Sequence, residues 1–234
     1  MARSDSGGNS VNKYVRGKLN RQRANFRAIP VVHVYVARYP FPVEDDKIAP
    51  PMRRKEIDGC SNPKVREQKY YVWKLLESAL MRSFGMKIDE LNLRKTQSGK
   101  WECDACHFSL SHSEDIVAVA VSSKPVGVDI EKCDPSRFTD DFAVKIATQA
   151  ERMEMSPLNE QGEALNALWT KKEAIFKMSG GNAFVPTDIE TSRHATATKA
   201  VLCDDGKFFL TVASQDAAQA VFRALGGLRF NDIK

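Results

Sequence analysis

Apolar residues recur along this chain at two spacings, every second position in some stretches and every third or fourth in others. Val31 to Ala37 alternates as a strand, and Tyr39-Pro40-Phe41-Pro42 breaks it. Glu44 to Gly59 is polar and reads as loop with a short helix. Asn62-Pro63 is a helix start, Asn as N-cap and Pro at N1. Val72, Trp73, Leu76, Leu80 and Phe84 then keep helical spacing until Gly85. A hairpin is predicted over Leu91 to Thr96 and from Trp101 onward, turning at Ser98-Gly99-Lys100. Phe108-Ser109-Leu110 and Ile116 to Val121 make two more strands around a polar turn, Ser111-His112-Ser113-Glu114-Asp115.

After Pro125 the order repeats loosely. Val126 to Ile130 is a strand, Arg137 to Met153 reads as helical, and Leu158 to Met178 holds a long helix ending at Gly180-Gly181. Val201 to Cys203 and Phe208 to Val212 form a hairpin around Asp204-Asp205-Gly206, and Ala217 to Leu225 is a last strand or helix. Each half thus offers a strand, a helix and antiparallel strands, an α+β pattern with a pseudo-twofold relation between the halves. The expected division is a basic extension over 1–30 and subdomains over 31–124 and 125–234.

Two acidic islands interrupt the apolar pattern. In Val126-Gly127-Val128-Asp129-Ile130-Glu131 both carboxylates project from one face of the strand and the apolar side chains from the other. Two like charges so close repel unless a cation joins them, and Gly127 suits a close backbone approach to a ligand. The second island lies on the long helix. Leu165, Leu168, Trp169, Ile175 and Phe176 share one arc, with Lys172 at its centre and Glu173 and Lys177 at its edge. A lone buried ammonium costs several kcal/mol, so Lys172 must snorkel out or meet an anion. Three carboxylates and two lysines suit Mg²⁺ and a phosphate ester. Ser111-His112 adds a hydroxyl and an imidazole that can bind a phosphate oxygen, and no Gly-x-Ser-x-Gly elbow suggests a hydrolytic serine instead.

The chain has 234 residues and a formal charge of +5. Residues 1–30 carry seven Arg and Lys against Asp5 alone, a local +6, so the remainder is close to neutral at −1. A neutral body with a basic arm does not have the composition of a nucleic-acid-binding domain. The arm reads as a disordered extension. No stretch is apolar enough to span a bilayer and the N-terminus lacks an apolar signal segment, which points to a cytoplasmic protein. The five cysteines do not suggest a disulfide framework. Cys103-Asp104-Ala105-Cys106-His107 matches the c-type haem attachment pattern, but no second axial ligand or haem-sized pocket accompanies it, and no second pair completes a zinc site. Reduced thiols near a hairpin are the expectation.

The run Phe108 to Ser113, then Pro125 to Lys132, then Trp169 to Lys177 resembles the three motifs of the 4′-phosphopantetheinyl transferases. Their order and spacing are similar to the single-chain, surfactin-synthetase-activating branch. The resemblance implies a pseudo-dimeric α+β fold that binds coenzyme A between its halves. It implies transfer of phosphopantetheine to a serine of an acyl, peptidyl or aryl carrier protein, releasing 3′,5′-ADP, by a monomer without nucleic-acid or membrane partners. Carried over, Asp129, Glu131 and Glu173 would hold Mg²⁺. Ser111 and His112 would hold the 3′-phosphate, Lys172 and Lys177 would face the pyrophosphate, and Lys100 would border the nucleotide. Glu173 would take the serine proton and Lys177 would assist the leaving group. The chain departs from relatives at Trp101, in place of a proline, and at Trp73, where an arginine is common. Arg53, Arg54 and Arg66 are candidates for the nucleotide contacts. The rival readings are a Mg-dependent nuclease or phosphodiesterase and a non-catalytic module binding carrier proteins or coenzyme A.

Overall fold

Residues 32–137, 139–155 and 161–232 are described by the structure, a computed structural model. The expected basic extension over 1–30 and the expected helix start at Leu158 lie outside the described residues.

Strand β1 (His33–Arg38) is followed by helix α1 (Pro51–Asp58) and helix α2 (Pro63–Phe84). The ends of α2 are written in its sequence. The Asn62 side chain accepts from the Val65 N–H at 3.3 Å, and Gly85 takes the left-handed conformation, φ 62°, that closes the helix. Strands β2 (Leu93–Lys95) and β3 (Trp101–Cys103) form a small hairpin, and β4 (His107–Ser113) and β5 (Ile116–Ser122) form a longer one. Strand β4 runs further than its sequence suggests. The turn occupies only Glu114 and Asp115, with Glu114 at φ 51°, so Ser111, His112 and Ser113 are strand residues on alternating faces.

Strand β6 (Gly127–Lys132) begins the second series. The stretch expected as one helix from Arg137 to Met153 is broken into a 3₁₀ turn, α3 (Asp140–Ile146) and α4 (Gln149–Glu154). The break is at Thr148, whose side chain and Glu151 form a reciprocal capping box that restarts the helix. Helix α5 (Gln161–Ser179) and the hairpin β7 (Thr196–Cys203) and β8 (Gly206–Ala213) follow. The expected last element resolves into a 3₁₀ turn and β9 (Val221–Leu225), and β10 (Arg229–Asp232) was not anticipated.

One sheet has the order β4-β5-β1-β9 and the other β10-β7-β8-β6. The triads β4-β5-β1 and β7-β8-β6 repeat one plan, a first strand antiparallel to the second arm of a later hairpin, with a long helix between. Beyond that plan, β9 lies parallel to β1 and β10 antiparallel to β7. The first sheet therefore takes an edge strand from beyond residue 125, and the described residues form one unit by their internal contacts. Val34, Val36, Ile116, Ala118 and Ala120 of one sheet meet Val128, Ile130, Leu210 and Val212 of the other in a shared core. Helix α2 covers β1, β4 and β5, and α5 covers β6 and β8.

Gly127 is where α5 comes closest to its sheet. A Cβ there would stand 1.9 Å from the Ala174 carbonyl oxygen and 2.5 Å from the Met178 nitrogen. The close approach expected at this glycine is thus made by the protein's own helix. Gly127→Ala is expected to cost at least the about 1–3 kcal/mol typical of overpacking, because helix backbone cannot rotate aside as a side chain can. A lowered urea midpoint checks this, and an unchanged midpoint would contradict the packing.

Candidate functional site

Strand β6 is an edge strand, and the N–H groups on its open side need acceptors. The first sheet supplies them. Val128, Ile130 and Lys132 donate to the hydroxyls of Ser109, Ser111 and Ser113 at 3.0, 3.3 and 3.1 Å. The Ser-x-Ser-x-Ser spacing of β4 is the cause, since alternate residues share a face. Two of these hydroxyls donate onward to the acidic island, Ser111 to Asp129 Oδ1 at 2.8 Å and Ser113 to Glu131 Oε2 at 3.2 Å.

Helix α5 closes the site from the other side. Held against β6 at Gly127, it places Lys177 Nζ 2.7 Å from Asp129 Oδ1 and 3.2 Å from Ser111 Oγ. The Ser111 hydroxyl is then saturated: its proton goes to Asp129, and Ile130 and Lys177 occupy its lone pairs. Asp129 is 4% exposed, and its Oδ2 is buried with no hydrogen-bond partner. Burial and the neighbouring Asp129 charge raise the Glu131 pKa above the usual carboxylate range. Burial also raises that of Glu173, with Asp129 and Glu131 adding to it and Lys177 opposing. Asp129, Glu131, Glu173 and Lys177 therefore share one electrostatic site.

Their donor chemistry suits a hard cation, and the orphaned Asp129 oxygen is a free ligand position. Among the described residues, however, no three Asp, Glu, His or Cys side chains are gathered closely enough to hold a metal ion. The counter-charge on Asp129 is the Lys177 ammonium.

Lys172 is placed differently from the sequence expectation. It is fully buried, donates to the carbonyls of Pro186 at 2.9 Å and Ile189 at 2.5 Å, and pairs with Glu151 at 2.7 Å. The anion its burial demanded exists, and it is Glu151 rather than a pyrophosphate. Glu151 is held in turn by the Thr148 N–H and by the Thr191 N–H and hydroxyl. The Thr148-x-x-Glu151 capping box marks a helix start in the sequence, but it does not point to Lys172.

Ser111 and His112 are neighbours in β4 with side chains on opposite faces. Ser111 faces β6, while His112 is solvent-exposed on the opposite face. Desolvation of the ring by the surrounding protein and the nearby Lys177 charge lower the His112 pKa, which keeps the ring neutral at pH 7. Lys100 donates to the Lys177 carbonyl at 2.7 Å, tying the β2–β3 turn to the last turns of α5. Both lysines line a 540 Å³ cleft with Gly99, Trp101, Phe108, Phe176 and Phe184. Of the arginines considered for the nucleotide, Arg53 is buried against Trp73 and Glu56 and Arg54 pairs with Asp58.

Residues 125–223 match the family model of the 4′-phosphopantetheinyl transferase superfamily. The matched segment is less than half of the chain. It contains β6, α5 and β8, hence Asp129, Glu131, Glu173 and Lys177. The chain is similar to a 4′-phosphopantetheinyl transferase of Bacillus subtilis, 29% identical over 119 residues, covering 49% of this chain and 52% of the relative. It is also similar to the 4′-phosphopantetheinyl transferase gsp of Aneurinibacillus migulanus, 29% identical over 119 residues, covering 48% of each. With the 4′-phosphopantetheinyl transferase AcpT of Escherichia coli (strain K12) it shares 34% identity over 92 residues, covering 38% of this chain and 47% of the relative. The chain thus spans about half the length of the curated relatives it matches. The resemblance to phosphopantetheinyl transferases read from the motifs holds.

Proposed function

We propose that this protein transfers the 4′-phosphopantetheine group of coenzyme A to a serine of an acyl, peptidyl or aryl carrier protein and releases 3′,5′-ADP. The observation that carries the reading is the Asp129–Lys177–Ser111 cluster, whose Lys177 also lines the cleft and whose Asp129 and Lys177 lie in the segment that matches the superfamily model. Coenzyme A would lie in the cleft, where four aromatic rings suit a base and a pantetheine arm and Lys100 and Lys177 suit phosphates. The repeated strand–helix–hairpin plan supports a pseudo-dimeric fold of two subdomains, about 31–124 and 125–234; on this reading the protein acts in the cytoplasm as a monomer. No helix among the described residues is long and apolar enough to cross a membrane.

Asp129, Glu131 and Glu173, which are not gathered closely enough for a metal as they stand, would have to draw together to hold Mg²⁺, which when bound would neutralise the diphosphate and orient it for in-line attack. The chain's own groups do the rest. Lys177 reaches the leaving phosphate as a donor, and Asp129 and Ser111 fix the ammonium in place. Glu173 takes the proton of the attacking carrier serine; its raised pKa brings its basicity nearer the working pH. His112, neutral and solvent-facing, is left as the residue for the 3′-phosphate, while Ser111 acts on Asp129 and Lys177. A phosphate dianion there would raise the His112 pKa and draw a proton onto the ring.

The test is release of 3′,5′-ADP, followed by chromatography, from coenzyme A and an apo acyl carrier protein. Release that needs the carrier, stops with EDTA and returns with added Mg²⁺ is expected. Release without any carrier would instead indicate a phosphodiesterase.

A further inference from the structure

The Cys103–Cys106 pair is not used by the chemistry above, yet it is built as a unit. Cys103 ends β3, Cys106 precedes β4, and their sulfurs lie 3.6 Å apart. The Cys103 thiol also faces the Cys106 carbonyl at 3.4 Å. The two-residue turn between them is anchored from outside: Asn92 donates to Asp104 at 3.0 Å, and Arg94 pairs with the same carboxylate. The cysteines are buried, 9% and 5% exposed, and lie outside the core cluster shared by the two sheets. Trp101, two residues before Cys103, and Phe108, two after Cys106, both wall the cleft and both pack edge-on against Trp73.

We propose that Cys103 and Cys106 form a reversible dithiol–disulfide pair that staples the two segments walling the cleft. The oxidant is a small disulfide of the glutathione class. The Cys103 thiolate attacks it, the oxidant's S–S bond breaks, and one glutathione leaves as thiolate and takes a proton. Cys106 then gives up its proton and attacks Cys103 Sγ, expelling the second glutathione. The protein loses two protons and two electrons, and the oxidant gains them as two thiols. The hydrogen bond from Cys106 lowers the Cys103 pKa, which makes Cys103 the attacking sulfur. The same contact raises that of Cys106 while Cys103 is ionised. Once Cys103 carries glutathione, its negative charge is gone and Cys106 ionises more readily. Neither step depends on the transferase reading.

The full-length chain is treated with oxidised glutathione, its remaining thiols are alkylated, and its peptides are mapped by mass spectrometry. A Cys103–Cys106 link is expected, with Cys60, Cys133 and Cys203 still alkylated and the link reversed by dithiothreitol. Cys106→Ser, or Cys106→Ala if the serine variant does not fold, is expected to accumulate one glutathione on Cys103. Alkylation of Cys103 and Cys106 after oxidation, or a link between other cysteines, would overturn the proposal.

Discussion

Lys172→Ala is expected to lower the unfolding free energy by about 3–5 kcal/mol, the usual cost of removing one partner of a buried ion pair. Glu151 would be left with its charge in the interior, and the Pro186 and Ile189 carbonyls would lose their donor. Single domains are stable by about 5–15 kcal/mol, so this one change removes a large share. The sign of the pH dependence follows from Glu151. Burial alone would raise its pKa, but Lys172, Thr148 and Thr191 together outweigh burial and hold it below the ordinary carboxylate value. Its contribution is therefore present above the unfolded carboxylate pKa and fades as pH falls through the folded one. Urea unfolding at neutral and acid pH measures both effects, and Lys172→Ala should flatten the acid limb. A full unfolding midpoint combined with a raised KM for coenzyme A would put Lys172 at the pyrophosphate instead.

Glu173→Gln is expected to act in the opposite way. Burial, Asp129 and Glu131 all disfavour charge on Glu173, and Lys177 offsets only part of this. Removing that charge should leave stability unchanged or slightly higher. Loss of the base should slow turnover by about 10²–10⁴-fold, the range for general acid–base catalysis. Thermal melting and turnover on the same preparation separate the two effects. Near-wild-type turnover would take Glu173 out of the chemistry.

These two lysine-helix residues show what was legible in the chain. Helical spacing placed Lys172 inside and Glu173 and Lys177 at the edge, and the structure agrees. Spacing along one element could not say which anion meets Lys172, because Glu151 lies on another helix and reaches it only through the chain's tertiary course. The caps of α2 were legible because Asn62 and Gly85 act on their own neighbours. Strand β4 was cut short because Ser111, His112 and Ser113 look like turn chemistry. They are strand residues because the hydroxyls of Ser111 and Ser113 satisfy β6, a partner distant in the sequence. The in-face of Asp129 and Glu131 followed from alternation alone, whereas Lys177 as the counter-charge on Asp129 depended on how closely Gly127 admits α5.

The central claim is transfer of phosphopantetheine, and the mass of the acceptor tests it most directly. An apo carrier protein incubated with this protein, coenzyme A and Mg²⁺ is examined intact and after digestion. A gain of one phosphopantetheine on a single serine, abolished when that serine is alanine and when Glu173 is glutamine, is the predicted result. An unchanged mass on acyl, peptidyl and aryl carriers alike would contradict the account.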